Sequence, residues 1–246
     1  RRLRKPLRGW ISMKPSVTPE AVREALGAYQ WVNHPALPGA RNHRKAGVLV
    51  PISWSPQPKV IATLRPTQLS QHGGEICFPG GRPEPGDEDL FHTASREAQE
   101  ELGITNAEYL GRLSSFPLFS SDYRIEPFVA RVSEDSLEPN PDEVAQVLIF
   151  DPGELFSIGR VEALPYIWQG EMRLSPIFRH GDLTMYGATA LAYWELLQVL
   201  APVFGAQIPE LFKSDSSWED VVVPGIYDKV SMKIRDRLVE GDSQAK

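Results

Sequence analysis

The stretch REAQEELG, residues 96–103, is the most informative part of this chain. It is typical of the last turns of a helix that ends at Gly103. Helical spacing places Glu97, Glu100 and Glu101 on one face. Like charges four residues apart cost a few tenths of a kcal/mol, and the helix macrodipole disfavours anions in the last turn by about 0.3–1 kcal/mol. Stability alone therefore does not explain why these carboxylates are grouped.

Two interpretations of the three glutamates are open. The first is a solvent-exposed helix face, which is the usual origin of a run of charges. Only Arg96 lies four residues from one of the glutamates, and it can reach Glu100. The second is a bound divalent cation, because Mg²⁺ prefers oxygen ligands and is often shared between carboxylates and substrate phosphates. Side chains one turn apart can reach a common ion, so the pattern favours metal-assisted hydrolysis of a phosphoanhydride.

The residues before this helix predict a short strand followed by a loop. EICF, residues 75–78, is typical of a strand, and PGGRPEPGD, residues 79–87, is so rich in Gly and Pro that we expect a loop. The paired glycines Gly80 and Gly81 allow the backbone to approach a ligand closely. An apolar residue at every fourth position then predicts a helix from about Leu90 to Leu102.

The combined stretch FPGGRPEPGDEDLFHTASREAQEELGI, which begins at Phe78, resembles the Nudix box, the signature of the Nudix hydrolases. That signature is G-x5-E-x7-R-E-U-x-E-E-x-G-U, where U is apolar, and Gly81 matches its first glycine. Two departures occur: Asp87 replaces the first glutamate, and one extra residue separates it from Arg96. We expect Arg96 to pair with Asp87 or Glu100 and so to hold the loop against the helix.

A wider resemblance points to the coenzyme A pyrophosphatase-like branch of this family. LSQHGGEICFPGG, residues 69–81, is similar to the branch pattern L-R-x-H-x-G-Q-I-x-F-P-G-G. Ser70 stands where Arg is common, and Glu75 stands where Gln is usual. EPFVARV, NPDEVAQVLIF and MYGATALAYWELL resemble further segments of the branch, so the resemblance covers about residues 44–205.

The resemblance implies an α/β protein with the Nudix fold, an α/β/α sandwich around a central mixed β-sheet. The apolar runs 46–52 and 59–64 predict strands, and residues 188–204 predict a long apolar helix that packs on the sheet. We divide the chain into an N-terminal arm with a short helix (1–43), a Nudix hydrolase domain (44–205) and a C-terminal extension (206–246). Past residue 206 the sequence is polar and irregular.

The resemblance also implies roles for the acidic residues. Glu97 and Glu101 are the principal ligands for Mg²⁺ or Mn²⁺, and Glu100 is either a third ligand or the group that activates water. A further acid from a distal loop often serves as ligand or general base in this fold, and Glu143 in PNPDEV is our candidate. The alternative for Glu143 is a turn residue after two prolines. The predicted catalytic set is therefore Glu100, Glu101 and Glu143.

Five positions are predicted to contact substrate. Arg65, at a strand end, and Arg82, beside the glycines, offer guanidinium forks that suit phosphate, although either can instead be a solvated arginine. Gly80 and Gly81 give close backbone approach. His72 either touches the substrate or organises its loop, and we favour the loop role.

Net charge, the cysteine count and the length of the apolar runs limit the kinds of partner and the cellular compartment that we expect. The formal net charge of −6 argues against a nucleic acid polymer as a partner. Cys77 is the single cysteine, so an internal disulfide and a four-thiolate zinc site are excluded. No apolar run is long enough for a membrane span, and we expect a cytoplasmic protein. The alternative is that the basic start RRLRKPLR is the remnant of an organellar targeting segment.

These observations predict a metal-dependent hydrolase of a small nucleotide-containing substrate, with a homodimer left open. The resemblance to the coenzyme A pyrophosphatase-like branch makes coenzyme A or an acyl derivative the leading substrate. ADP-ribose or a nucleotide sugar remains an alternative because of Ser70 and Glu75. A Nudix module that binds nucleotides without cleaving them is a second alternative, although such modules tend to lose the carboxylates that are present here.

Overall fold

A computed structural model describes residues 17–37, 40–119, 121–134, 137–168 and 171–223. The targeting hypothesis for the first residues and most of the predicted C-terminal extension lie outside these ranges. The helices are α1 Pro19–Ala28, α2 Leu90–Leu102, α3 Pro152–Ile158, α4 Gly187–Val203 and α5 Trp218–Val221. The strands are β1 Arg44–Trp54, β2 Pro58–Leu64, β3 Ile76–Cys77, β4 Gly80–Gly81, β5 Glu108–Arg112, β6 Phe116–Pro117, β7 Tyr123–Arg131, β8 Gln146–Phe150, β9 Arg160–Trp168, β10 Glu171–Pro176, β11 Phe178–His180, β12 Leu183–Met185 and β13 Glu210–Lys213.

A mixed sheet formed by strands β1 to β8 is the centre of the fold. β1 runs parallel to β7 along residues 44–52 and antiparallel to β2 through the pairs Ile52–Val60 to Trp54–Pro58. Beyond that short pairing, β3 bonds to β2 and β4 bonds to β1. β1 and β2 therefore splay apart, and the segment 76–81 fills the gap between them.

Alternate residues of β1 face two helical layers, as the period of a strand requires. Leu49 packs with Ala98 and Leu102 of α2 in one buried cluster. Val50 packs with Leu196 of α4 in a cluster on the other face of the sheet. The α/β/α sandwich and its mixed sheet are therefore confirmed, with α2 as one layer and α4 in the other.

The N-terminal helix α1 packs directly on the central core. Thr18 accepts the backbone N–H of Ala21 as the N-cap of this helix. Val22 and Leu26 are buried in the cluster that contains α4. Gly111 of β5 lies so close to Leu26 that an added Cβ would come within 2.5 Å of the leucine Cβ. This part of the arm therefore contributes to the same hydrophobic core as the sheet.

Strands β9 to β13 form two smaller sheets that are separate from the central sheet. β9 pairs antiparallel with β10 and parallel with β13, and β11 pairs with β12. Residues 210–213 and 218–221 are thus a strand and a short helix, although the sequence predicts irregular structure there. Within the described residues, no helix is long and apolar enough to cross a membrane.

Two local predictions need correction, and one short helix was not predicted. Gly80 and Gly81 form a two-residue strand, because the gap beside β1 offers backbone partners at Gly47 and Val48. Residues 108–117, whose sequence predicts one strand, form the two strands β5 and β6. Helix α3 was not predicted, although Asp151 accepts the N–H groups of Gly153 and Glu154 as its N-cap.

Candidate active site

Helix α2 carries Glu97, Glu100 and Glu101, which we call the acidic cluster. Backbone groups at both ends of this helix are hydrogen-bonded. Asp89 accepts the backbone N–H of His92 at the N-terminus, and Gly103 ends the helix with φ 70°. Beyond that end, the N–H groups of Glu138 and Asn140 donate to the carbonyl groups of Leu102 and Glu101, at 2.8 and 2.9 Å. The connection between β7 and β8 is therefore fastened to the C-terminal end of α2.

Glu101 is the most buried carboxylate of the cluster, with 2% of the residue exposed. Its Oε1 accepts the N–H of Gly80 at 3.3 Å and lies 4.0 Å from Nη1 of Arg65. Its Oε2 is buried and has no hydrogen-bond partner. Burial raises the pKa of Glu101 to about 7, against the lowering effects of Gly80 and Arg65 and with further raising by the charges of Glu143 and Glu97.

The carboxylate of Glu97 lies against Gly81. A Cβ added to Gly81 would collide with the carboxylate of Glu97, so only glycine leaves room for this side chain. Nη2 of Arg96 donates to Oε1 of Glu97 at 3.0 Å. Burial is the main cause that raises the pKa of Glu97, and the charges of Glu100 and Glu143 act in the same direction.

Arg96 organises the loop around α2, and the sequence-based prediction of its pairing is confirmed. Its Nε donates to Asp87 at 3.2 Å, and its Nη1 donates to Glu100 at 3.1 Å. Its Nη2 also donates to the carbonyl of Arg82 at 3.0 Å. The N–H of Glu84 and then Arg96 lower the pKa of Asp87 to about 2. The shorter Asp87 therefore still reaches the arginine.

The remaining acids lie at the edge of this cluster. The Glu100 side chain is 51% exposed and is paired with Arg96. Glu143 lies close enough for its charge to raise the pKa of both Glu97 and Glu101. Across the described residues, no three His, Cys, Asp or Glu side chains are already arranged to hold a metal ion, and Arg96 occupies two of the predicted ligands.

The acidic cluster nevertheless fits a divalent cation. A buried carboxylate oxygen without a partner costs free energy, and Oε2 of Glu101 is such an atom. A neighbouring Glu97 adds a second negative charge in the same partly desolvated place. Carboxylate oxygens are the donors that Mg²⁺ and Mn²⁺ prefer, so a cation would satisfy Oε2 and offset both charges.

The structure places three of the five predicted substrate contacts against the acidic cluster, and the side chains of the other two have different partners. Arg65, Gly80 and Gly81 lie against the acidic cluster, and Nε of Arg65 is buried without a partner. His72, with φ 57°, places Nδ1 2.9 Å from Glu75 within its own loop. Arg82 is exposed, with its guanidinium 4.9 Å from the ring centroid of Tyr123.

Sequence reasoning missed three features near the site. Arg44 also lies over the ring of Tyr123, at 4.6 Å. Tyr186 interacts with Glu75, and burial, followed by the charge of Glu75, raises the pKa of Tyr186. The third feature is the fastening of the loop before β8 to α2. The basic run RNHRK, residues 41–45, was the available signal for Arg44, whereas the other two contacts join residues far apart in sequence.

Comparisons with known proteins agree with the motif. The model of the NUDIX domain matches residues 43–169. The chain is 34% identical over 161 residues to the Nudix hydrolase NudL of Photorhabdus laumondii, which covers 64% of this chain and 85% of that protein. It is also 34% identical to the human mitochondrial coenzyme A diphosphatase NUDT8, over 64% of this chain and 70% of that protein. Among solved structures, a NUDIX hydrolase from Nitrosomonas europaea is 22% identical over 49% of this chain and 61% of its own, with a TM-score of 0.38.

Proposed function

The chain belongs to the NUDIX family of hydrolases, and we propose that its substrate is coenzyme A or an acyl derivative, whose diphosphate linkage it cleaves with Mg²⁺ or Mn²⁺. The observation that carries the proposal is the buried, partnerless Oε2 of Glu101 beside Glu97 and the Gly80–Gly81 backbone. The products are adenosine 3′,5′-bisphosphate and a phosphopantetheine product.

In the proposed site, Glu97 and Glu101 would hold the cation, and Glu100, which now pairs with Arg96, would be the third ligand. When bound, the cation offsets charge on the diphosphate and lowers the pKa of a coordinated water. Arg65 is placed to contact a phosphate oxygen, because its Nη1 already lies 4.0 Å from Glu101 and its Nε lacks a partner. Its guanidinium would then offset part of the negative charge on the phosphates.

A carboxylate other than those that would hold the cation is needed to take a proton from the attacking water. Glu143 is our candidate, because the loop fastened to α2 brings its charge close to both Glu97 and Glu101. A base near the metal ligands can accept the proton through one hydrogen bond or one intervening water. Glu100 is the alternative base, since its carboxylate is half-exposed and adjacent on α2.

The substrate class is supported by the human relative, whose printed activity is coenzyme A diphosphatase. One observation favours a second candidate, ADP-ribose or a nucleotide sugar. Glu75 places a carboxylate against His72 and Tyr186 where the resemblance has a neutral glutamine. A negative charge at this position changes which substrate groups the loop can accept.

A substrate panel tests the proposal. The purified chain is incubated with Mg²⁺ or Mn²⁺ and with coenzyme A, acetyl-coenzyme A, ADP-ribose or a nucleotide sugar, and the products are separated by chromatography. We expect adenosine 3′,5′-bisphosphate from coenzyme A and no product when a chelator is present. Preferential cleavage of ADP-ribose or a nucleotide sugar would support the second candidate. Tight binding to one compound without turnover of any would indicate a binding module and refute the enzymatic proposal.

A further inference from the structure

Two guanidinium groups share one aromatic ring beside the active-site loop. Cζ of Arg44 lies 4.6 Å and Cζ of Arg82 lies 4.9 Å from the ring centroid of Tyr123. The two positive charges are therefore separated by no more than about a Debye length, ~10 Å at 0.1 M salt. Each gains from its contact with the ring, but the two guanidinium groups repel each other.

Nearby carboxylates do not neutralise this pair. Asp122 is engaged by His43, at 2.8 Å, and by backbone N–H groups of the 41–42 segment. Glu126 is engaged by Arg112 at 2.5 Å and by Lys45 at 3.4 Å. In the part of the chain that the structure describes, the guanidinium groups of Arg44 and Arg82 form no ion pair.

The pair lies next to the acidic cluster. Arg82 directly follows Gly81, and its carbonyl and Oε1 of Glu97 are both 3.0 Å from the same Nη2 atom of Arg96. Gly81 pairs with Gly47 of β1, three residues along the strand from Arg44. A phosphate held by the two arginines would therefore be near a diphosphate that contacts Gly80 and Gly81.

We propose that Arg44 and Arg82 bind a phosphate monoester that the substrate carries in addition to the diphosphate that is cleaved. Arginine forks suit a phosphate dianion, which accepts several charge-assisted hydrogen bonds. Tyr123 is a positioning residue that holds both guanidinium groups. This inference rests on the proposed function, in which the monoester is the 3′-phosphate of coenzyme A. ADP-ribose and simple nucleotide sugars lack such a group, so the pair is a determinant of substrate choice.

The test compares coenzyme A with dephospho-coenzyme A, which differs only by the 3′-phosphate. For Arg44→Gln we expect kcat/KM to fall about tenfold for coenzyme A and by less than about twofold for dephospho-coenzyme A. Arg41→Gln is the matched control, since it removes an exposed positive charge from the same segment and should alter neither value. Tyr123→Leu should reduce the discrimination between the two substrates, and Tyr123→Phe should restore it because the ring is retained.

Equal losses on both substrates would overturn the inference, and so would unchanged kinetics in Arg44→Gln. A binding measurement keeps this result separate from the proposed function. Calorimetry with adenosine 3′,5′-bisphosphate and adenosine 5′-monophosphate does not require turnover. Tighter binding of the bisphosphate that is lost in Arg44→Gln would support the inference even if coenzyme A is not cleaved. Equal binding of both nucleotides to the wild-type protein would refute it.

Discussion

The backbone N–H of Gly80 donates to Oε1 of Glu101 at 3.3 Å, and this contact ties β4 to the acidic face of α2. It satisfies one oxygen of the carboxylate and leaves Oε2 buried without a partner. The short strand thus fixes the orientation of Glu101 while its second oxygen stays available for a cation. Because β4 exists only where β1 and β2 splay apart, the sheet topology itself creates this arrangement.

Glu101→Gln should remove catalysis without unfolding the chain. Glutamine keeps the size of the side chain and the acceptor for Gly80, but it removes the charge that would bind the cation. Loss of several kcal/mol of transition-state stabilisation corresponds to a decrease in kcat/KM on the order of a thousandfold. Steady-state kinetics with coenzyme A measure the decrease, and circular dichroism checks the fold. Glu88→Gln, at an exposed position before α2, is the control. Near-normal rates in Glu101→Gln would refute the metal assignment.

The stability of the metal-free protein should decrease as the pH rises. The pKa of Glu101 in the folded protein, about 7, lies above the ordinary glutamate value of 4.5. The folded state therefore binds more protons than the unfolded state between these values, and stability present below pH 4.5 is lost as the pH passes 7. The shift corresponds to about 3 kcal/mol at most. Burial raises the pKa of Glu97 as well, so its effect has the same sign.

Denaturant unfolding at pH 5 and pH 8 in the presence of a chelator measures this effect. Glu101→Gln should show a smaller loss of stability between the two pH values than the wild-type protein. Mg²⁺ or Mn²⁺ at pH 8 should raise the midpoint of the wild-type protein, because a ligand of the folded state stabilises it. An identical pH dependence in the two proteins would contradict the assignment of the burial effect to Glu101.

The two adjacent glycines should respond differently to alanine. A Cβ at Gly81 would displace the flexible Glu97 carboxylate, whereas a Cβ at Gly80 would lie 2.6 Å from the carbonyl oxygen of Gly47. We expect Gly81→Ala to lower kcat/KM roughly 10- to 100-fold by moving a metal ligand, with a small change in stability. Gly80→Ala should instead reduce the free energy of unfolding by about 2 kcal/mol, as overpacking against backbone does.

Kinetics and denaturant unfolding of both variants make the comparison. Gly27→Ala is the control, because a Cβ there meets nothing within 4 Å in helix α1. Alanine should be neutral or slightly stabilising at that position. Equal loss of stability in the variants of Gly80 and Gly81 would contradict the separate roles.

Much of the candidate site could be predicted from sequence because its spacing is local. The helix Leu90–Leu102 follows from its apolar period, and the pairing of Arg96 follows from residues on the same helix or in the loop before it. The strand formed by Gly80 and Gly81 could not be predicted, because it depends on where β1 and β2 separate. The contacts of Arg44 and Arg82 with Tyr123 depend in the same way on the parallel pairing of β1 with β7.

Glu143→Gln should separate proton transfer from metal binding. A general base contributes roughly 10²–10⁴-fold to a rate, so we expect kcat to fall about a hundredfold or more. The affinity for Mn²⁺, measured by calorimetry, should change little, because the proposed ion is held by Glu97 and Glu101 of α2 and Glu143 is assigned to proton transfer. Glu97→Gln is the contrasting variant, in which weaker Mn²⁺ binding should accompany the loss of rate.

If Glu143→Gln keeps its kcat while Glu100→Gln loses it, the base is Glu100. If Glu143→Gln instead weakens Mn²⁺ binding as Glu97→Gln does, Glu143 is a metal ligand, because the site then loses one of the carboxylates that hold the ion.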